Sequence, residues 1–418
     1  MKILIVTQYF WPENFRINDL VAGLIERGHE CTVLTGLPNY PTGKIFRGYG
    51  VKVFKSQIHD GARVIRVPLM PRGSGSGLRL ALNYISFALF ASLFGPFLCR
   101  GRYDLVFVYE PSPITVMLPA LLLKKLKGAP VMLWLQDLWP ESVAATGAIR
   151  SKAILKLIER LVRFIYRGCD KILTTSRAYH TSIIERGGHP EKIEYFPQSV
   201  EKVYRPVEVE GDAPERAHIP NGFNVMFAGN IGAAQDFPTI LDAASILKDR
   251  RNIHWVIVGD GRMRAWVEKQ VLDRGLVGCV HLIGKYPLDA MPRFFALADV
   301  MLVTLRKDPI FSLTVPAKIQ SYMACGRPIV AALDGEGARI VRESGAGFTV
   351  SAERPDLLAD AVLAASCMPV EALETMGAGG LAYFNEHFER NMLYDKFECM
   401  MGAMVPANAI REKGCTTA

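Results

Sequence analysis

The chain has 418 residues, half of them apolar and 22% charged, with 36 glycines, which excludes a disordered, collagenous or small disulfide-stapled protein. At roughly 100–200 residues per domain, this length predicts two cores of similar size. Forty-nine Lys and Arg against 41 Asp and Glu leave a net charge of +8, which favours an anionic partner such as a nucleotide or a phospholipid surface; nucleic acid ranks last, because no basic run with interleaved aromatics, helix-turn-helix signature or zinc-finger spacing is present.

Residues 2–7 form a continuous apolar run, which predicts a buried parallel strand and is too short for a signal-peptide core. From Arg16 to Arg27, Ile17, Leu20, Val21, Leu24 and Ile25 recur at helical spacing, and Gly28 is placed to stop the helix. Strands follow at 31–34, 64–67, 105–109, 131–135 and 171–175, with helix-like stretches between them. This is the pattern of a doubly wound parallel α/β sheet. Between the second and third of these runs, 73–77 reads as a flexible loop. The following stretch, 80–99, is apolar apart from Asn83, Ser86 and Ser92, and is flanked by Arg79, Arg100 and Arg102. It is nearly long enough to span a bilayer, but the strands on both sides belong to one sheet and Gly95-Pro96 is expected to break the helix. A helix lying on the membrane surface with its arginines on headgroups, or a buried helix, accounts for it better.

A polar, Pro-containing stretch at 199–221 is expected to link the domains, 1–198 and 222–380. A second strand set then begins at 224–228 and continues at 255–258, 280–283, 300–304 and 328–331. The last periodic segment, within 381–405, is expected to return to the first domain, and 406–418 reads as a polar tail. The eight cysteines never form a Cys-x-x-Cys pair, which fits a reducing cytosol.

Open parallel sheets bind ligands at the carboxyl ends of their strands, so the loops that follow strands carry the candidates. Gly229-Asn230-Ile231-Gly232 joins a strand to a helix, where glycines let backbone N–H groups approach a pyrophosphate. Asp137 and Glu141 lie four apart after a buried strand. They are placed to orient a hydroxyl, although Glu141 also suits the first turn of a helix. Asn14 reads either as a helix N-cap or as a ligand contact, whereas Arg16 at a helix start opposes the dipole and points to an anion. Trp134 is expected in the core, and Trp139 is placed to stack on a sugar or prenyl chain. The histidines form no metal-binding pair and no Asp-x-Asp is present, so no metal is expected.

Further motifs are Gly259-Asp260-Gly261-Arg262, Gly284-Lys285-Tyr286-Pro287, the stretch from Ser312 to Lys318, and Met323-Ala324-Cys325-Gly326-Arg327-Pro328. Their order and spacing resemble the nucleotide-sugar half of a GT-B glycosyltransferase of family 4. The opening strand and Arg27-Gly28-His29-Glu30 are similar to that family's acceptor half. The segments 12–20, 36–43, 136–142 and 229–235 resemble the subgroup of bacterial polysaccharide enzymes that includes the O-antigen N-acetyl-L-fucosamine transferase and a colanic acid glycosyltransferase.

The resemblance implies two Rossmann-like domains facing a cleft. It implies retaining transfer of a sugar, such as N-acetyl-L-fucosamine or a related deoxy or amino sugar, from a nucleotide diphosphate donor. Uridine is the implied base, the acceptor is a polyprenyl-linked oligosaccharide, and the location is the inner face of the cytoplasmic membrane. No cofactor is implied beyond the donor itself. Donor contacts are expected from Gly229, Asn230, Gly232, Gln235, Gly261, Lys285, Tyr286, Ser312, Thr314, Pro316 and Glu336, and acceptor contacts from Asn14, Phe15, Arg16, Asn39, Tyr40, Trp139 and Glu141. In the register of the family's glutamate pair this chain has Leu313 and Ser321. Lys318 on the donor phosphates and Glu336 on the donor sugar or ribose are the expected substitutes, with Asp137 as the third catalytic candidate. A nucleotide-sugar epimerase on the same scaffold and a non-catalytic binding subunit stand as alternatives.

Overall fold

The computed structural model describes residues 1–50, 56–73, 76–145, 149 and 151–405. They divide into two compact units: Met1–Pro197 with the residues from Leu393 onward, and Gln198–Met392. The expected loop 73–77 is described only in part, since residues 74 and 75 lie outside the described residues, as does the tail 406–418.

In the first unit, one sheet is built from β1 (Lys2–Val6), β2 (Glu30–Gly36), β3 (Ser56–His59), β4 (Ala62–Val67), β5 (Leu105–Glu110), β6 (Val131–Leu135), β7 (Lys171–Thr174) and β8 (Ile193–Tyr195). The order is β3-β4-β2-β1-β5-β6-β7-β8, parallel except where β3 pairs with β4. Ile3–Val6, β5 and β6 are buried along their whole length, which is why these strands read as unbroken apolar runs. The helices are α1 (Arg16–Glu26), α2 (Gly77–Leu98), α3 (Met117–Lys127), α4 (Glu141–Ala145), α5 (Lys152–Gly168) and α6 (Tyr179–Glu185). α1 buries Ile17, Leu20, Val21 and Leu24 of the predicted stripe and half-buries Ile25, and Gly28 follows it with φ +83°.

The second unit contains β9 (Phe223–Ala228), β10 (Ile253–Val258), β11 (Val280–Gly284), β12 (Val300–Thr304), β13 (Ile329–Ala332) and β14 (Gly347–Val350), all parallel in the order β11-β10-β9-β12-β13-β14. Its helices are α7 (Phe237–Ile246), α8 (Arg264–Asp273), α9 (Met291–Ala296), α10 (Pro309–Leu313), α11 (Ala317–Ala324), α12 (Glu336–Glu343), α13 (Pro355–Ser366) and α14 (Val370–His387). Each unit is a doubly wound α/β layer structure, the class expected. Strand order reverses direction at β1/β5 and at β9/β12, the two places where such sheets open a crevice for a ligand.

Four local readings are corrected. The stretch 199–221 lies in the second unit: it holds a short 3₁₀ turn at Pro214–His218, and Arg293 donates to the buried Glu215 carboxylate at 2.7 Å. The last periodic segment is two helices, α14 and α15 (Arg390–Met404), with Phe388 and Glu389 between them. Gly95-Pro96 does not break α2, which runs to Leu98; Pro96 sits in its last turn, and Gly95 lets the helix lie on β2, where a Cβ would come 3.0 Å from Leu34 Cδ2. Asn14 does not cap α1, because the cap position falls on Phe15 and Asn14 is exposed one residue earlier.

α2 is long and apolar enough to cross a membrane, yet Phe87, Ala88, Ala91 and Gly95 are buried while Leu78, Leu89, Leu93 and Phe97 are exposed. From Leu393 onward α15 belongs to the first unit. Arg27 and His29 both meet Glu398 at 2.7 Å, and Phe397 is buried with ring centroids 4.9 Å from Phe107 and 5.4 Å from Phe196. Phe397→Ala is therefore expected to cost about 3–5 kcal/mol, read as a lowered denaturant midpoint.

Candidate functional site

The second unit gathers candidates at the ends of β9, β10 and β11. Gly229, Gly259 and Gly284 follow one another across the sheet, all with positive φ (+134°, +145° and +90°). Gly229 N donates to Val258 O at 2.9 Å, and Gly259 N donates to Gly284 O at 2.7 Å. A Cβ on Gly259 would sit 1.9 Å from the Gly229 carbonyl oxygen, and one on Gly261 would sit 2.3 Å from the Ile231 carbonyl oxygen. Only glycine allows this approach.

Lys318, the second residue of α11, lies against this turn. Its Nζ donates to Gln235 Oε1 at 2.5 Å and stands 3.5 Å from the Phe227 ring centroid, and a Cβ on Gly229 would meet its Cε at 2.9 Å. Burial pushes the Lys318 ammonium well below the usual lysine range. An ammonium in such a place gains from an anion more than a solvated one does.

Glu336 opens α12 beside the same loop. Gly335 has φ +73° with a virtual Cβ 2.0 Å from Ser312 O, and Gly337 would place its Cβ 3.1 Å from Pro316 Cδ. The Glu336 carboxylate is gripped by Arg339, with Nη2 at 2.6 Å and Nε at 2.8 Å. Ser312 and Thr314 hydroxyls donate to backbone carbonyls of Asp308 and Phe311. Ser321, in the family glutamate register, donates to Ala317 O at 3.2 Å inside α11.

Other expectations fare differently. The loop 229–232 does not pass directly into a helix: a 3₁₀ turn at Ala233–Gln235 intervenes, and Asp236 stands at the N-terminus of α7 with φ 49°. The N–H groups of Gly229, Ile231, Gly232 and Gln235 are engaged by backbone carbonyls, so this loop is not an open amide cradle. Lys285 is exposed, and Tyr286 packs on Phe294 with centroids 4.4 Å apart. A neighbouring cavity of about 390 Å³ is lined by Asp236, Thr239, Met263, Arg306 and Glu353, a grouping from the start of α7 and three separate loops that no local motif announces.

In the first unit, Asp137 follows β6. Burial raises its carboxyl to about 6. Its backbone N–H points at Glu110 Oε2 at 3.4 Å, and Glu110, at the end of β5, is wholly buried with Oε1 unpartnered. Burial first, and then the Asp137 charge, hold the Glu110 carboxyl well above the usual range. Glu110 was not anticipated, because in sequence it closes an apolar strand without any motif.

Arg16 is the first residue of α1, and its charge is felt by the Tyr109 hydroxyl. Glu141 is taken by Arg186 at 2.8 Å and by Ser182 at 2.6 Å, a structural ion pair at the start of α4. Asn39 is also structural. Its backbone N–H donates to Glu13 Oε1 at 2.8 Å, its side-chain amide to Leu37 O at 3.0 Å, and its Oδ1 accepts from Arg72 N at 3.1 Å. Tyr40, 38% exposed, joins Phe15 (5.3 Å) and Tyr9 (5.9 Å) in an aromatic group with the Arg72 guanidinium 5.0 Å from the Tyr40 ring. Tyr9 and Arg72 have no local signal, since each depends on contacts between distant loops, whereas Glu13 falls in the 12–20 segment without a role assigned to it. Trp139 is buried rather than presented to solvent, and Trp134 is a core residue whose Nε1 donates to Phe196 O at 3.0 Å.

Comparison with known proteins identifies the class. Residues 14–198 match the "Glycosyl transferase 4-like domain" and residues 222–366 match "Glycosyl transferases group 1". The chain belongs to the GT-B glycosyltransferases of family 4 and is a transferase. Among its relatives, the protein named "Putative colanic acid biosynthesis glycosyl transferase WcaI" of Escherichia coli K12 is 27% identical over 338 residues, 78% of this chain and 82% of the relative. The "Probable glycosyltransferase WbjE" of Pseudomonas aeruginosa is 30% identical over 269 residues, 62% of this chain and 66% of that one. Among solved structures, Anabaena Alr3699/HepE in complex with UDP superposes with a TM-score of 0.71 at 16% identity, covering 96% of this chain and 100% of the other.

Glu110→Gln tests the buried carboxyl. A carboxyl raised in the folded state loses stability as pH climbs from the ordinary value of about 4.5 toward its folded value. The variant is therefore expected to exceed the parent in Tm by more at pH 8 than at pH 5, measured by calorimetry. Gly259→Ala is expected to destabilise the chain by about 1–3 kcal/mol or more through the clash with Gly229.

Proposed function

We propose that this transferase moves a sugar, N-acetyl-L-fucosamine or a related deoxy or amino sugar, from a UDP-linked donor onto a polyprenyl-linked oligosaccharide, with retention at the anomeric carbon. The product feeds bacterial surface polysaccharide assembly at the inner face of the cytoplasmic membrane. One observation carries the donor half of this reading: Lys318, with its ammonium destabilised by burial, sits at the glycine turn ending β9 beside Gln235. The name of the Escherichia coli relative supports the polysaccharide setting, and the UDP in the HepE crystal structure supports the choice of base.

In this reading the acceptor oxygen bonds to the anomeric carbon while the bond from that carbon to the donor phosphate breaks, its electron pair passing to the diphosphate. Lys318, with the N-terminus of α11, stabilises the charge that develops there. Glu336, neutralised by Arg339, presents carboxylate oxygens to ribose or donor-sugar hydroxyls. Ser312, Thr314, Pro316, Asn230 and Gly261 shape the surrounding walls, and Lys285 and Tyr286 border the base. Asp137 orients the acceptor hydroxyl and accepts its proton, while Arg16, Phe15 and Tyr40 hold the acceptor's anionic and sugar portions. No metal takes part, and transfer is expected to survive chelation by EDTA.

Two measurements test this. UDP is expected to raise Tm in the parent and not in Lys318→Ala, with the other nucleoside diphosphates acting more weakly; an unchanged UDP shift in the variant removes Lys318 from the donor site. Asp137→Asn is expected to lower kcat/KM by about 10²-fold or more. The acid limb near pH 6 in the parent profile is expected to vanish in the variant, because protonation of Asp137 abolishes its role. A variant retaining that limb excludes Asp137 as its origin.

A further inference from the structure

Half of the large apolar side chains exposed by the described residues sit on three helices of the first unit, α2, α3 and α5. On α2, Leu78, Ile85, Leu89, Leu93 and Phe97 recur at intervals of seven and four and are each more than half exposed, so one apolar stripe runs the length of the helix. α3 packs beside it, where a Cβ on Gly95 would stand 3.6 Å from Leu123 Cδ1, and α5 packs on α3, where Lys124 Nζ donates to Gly168 O at 2.9 Å. α3 adds Leu126, and α5 adds Leu157 and Phe164, each again more than half exposed. Single exposed apolar residues are ordinary, whereas a run of them across neighbouring helices marks a surface that is covered in use.

The same three helices carry nine Lys and Arg and one acidic residue, Glu159, in a chain whose overall balance is 49 to 41. On α5 the cations Lys152, Lys156, Arg160, Arg163 and Arg167 recur at intervals of three and four. At about 100° per residue they fill one sector of the helix and Leu157 and Phe164 the next, while buried Val162, Ile165 and Tyr166 face the fold. A partner that offers hydrocarbon and anionic groups together satisfies both outer sectors, and the interface of an anionic bilayer is such a partner. A nucleic acid would meet the cations and leave the apolar stripes in water. A second copy packed face to face about a two-fold axis would set one basic stripe against the other.

α2 can meet a bilayer only from the outside. Its Asn83 amide donates to Met70 O at 2.6 Å and accepts from Gln8 Nε2 at 2.6 Å, Ser86 Oγ accepts from Met70 N at 2.9 Å, and Phe87 and Ala91 are fully buried. Withdrawing the helix into a membrane would break each of these contacts.

We infer that α2, α3 and α5 form one face that docks on an anionic phospholipid surface, with the apolar stripes at the acyl boundary and the α5 cations on headgroup phosphates. The inference rests on the proposed location at a membrane, to which it gives a surface, and needs neither the proposed sugar nor the proposed acceptor.

The test is co-sedimentation of the full chain with vesicles of phosphatidylcholine containing about 30% phosphatidylglycerol, and with phosphatidylcholine alone. The parent is expected to bind the anionic vesicles at least ten-fold more tightly, and to lose at least ten-fold in affinity between about 0.1 and 0.5 M salt as the charges are screened. Lys152→Gln/Lys156→Gln/Arg160→Gln is expected to bind about 10²-fold more weakly, at roughly five-fold per cation. Leu89→Asn/Leu93→Asn is expected to bind at least ten-fold more weakly. All five positions are exposed, and a near-parental Tm verifies that each variant folds. Lys248→Gln/Arg250→Gln/Arg251→Gln removes the same charge from exposed positions of the second unit and is expected to bind as the parent does. Equal binding to both kinds of vesicle, or a second-unit variant weakened as much as the α5 variant, overturns the inference. So does a parent dimer that Leu89→Asn/Leu93→Asn dissociates in analytical ultracentrifugation, which would make the face a subunit contact.

Transfer assays keep this outcome apart from the fate of the functional reading. Transfer by a parent that binds no vesicles overturns the docking face and leaves the reaction standing. Vesicle binding with the expected pattern among the variants, but without transfer, leaves the face standing and removes the reaction.

Discussion

The central strands of both sheets have no face left for chemistry. β5 and β6 in the first unit, and β9, β10 and β12 in the second, are buried almost throughout, so the charged groups fall at and beyond the strand ends. At those ends the backbone must turn at once into a helix or loop while keeping its hydrogen bonds. Gly259 shows the consequence: its turn packs so tightly on the Gly229 carbonyl that a side chain is excluded there, and Gly229 leaves backbone for Lys318 to lie against.

The two units solve their electrostatics in opposite ways. Around Lys318 a buried cation is met by an amide oxygen and an aromatic face, so its charge is incompletely balanced. Around Asp137 and Glu110 two carboxyls share one buried region, and burial holds both toward the protonated form. In the proposed reaction the donor side calls for a cation and the acceptor side for a proton acceptor, and a group under-neutralised by its surroundings is suited to either task. By contrast, Glu141 with Arg186, and Glu336 with Arg339, are neutralised within the chain.

How much of this was legible in the sequence follows from the range of each contact. β6 and β12 occupy the residues their apolar runs predict, and α1 buries the predicted stripe, because burial on both faces or on one stripe leaves its period in neighbouring residues. The motifs around Gly229, Lys318 and Asp137 were also visible, since each is a short segment with its own chemistry. Asn14 and Gly95-Pro96 misled, because capping and helix-breaking tendencies are weak local preferences that packing on β2 and the loop before α1 overrides.

The sequence by itself determined the class: two parallel α/β units, the family to which they belong, and the loops on which chemistry would fall. Tertiary structure alone decided which of those residues are free to act. Asn39 is consumed by Glu13 and Arg72, and Glu141 by Arg186, while Trp139 turns inward with an unused donor beside Asp137. Glu110 and the meeting of Tyr9 with Arg72 carry no local signature. Their environments are made by residues tens of positions apart, and desolvation is a property of the packed neighbourhood rather than of the residue.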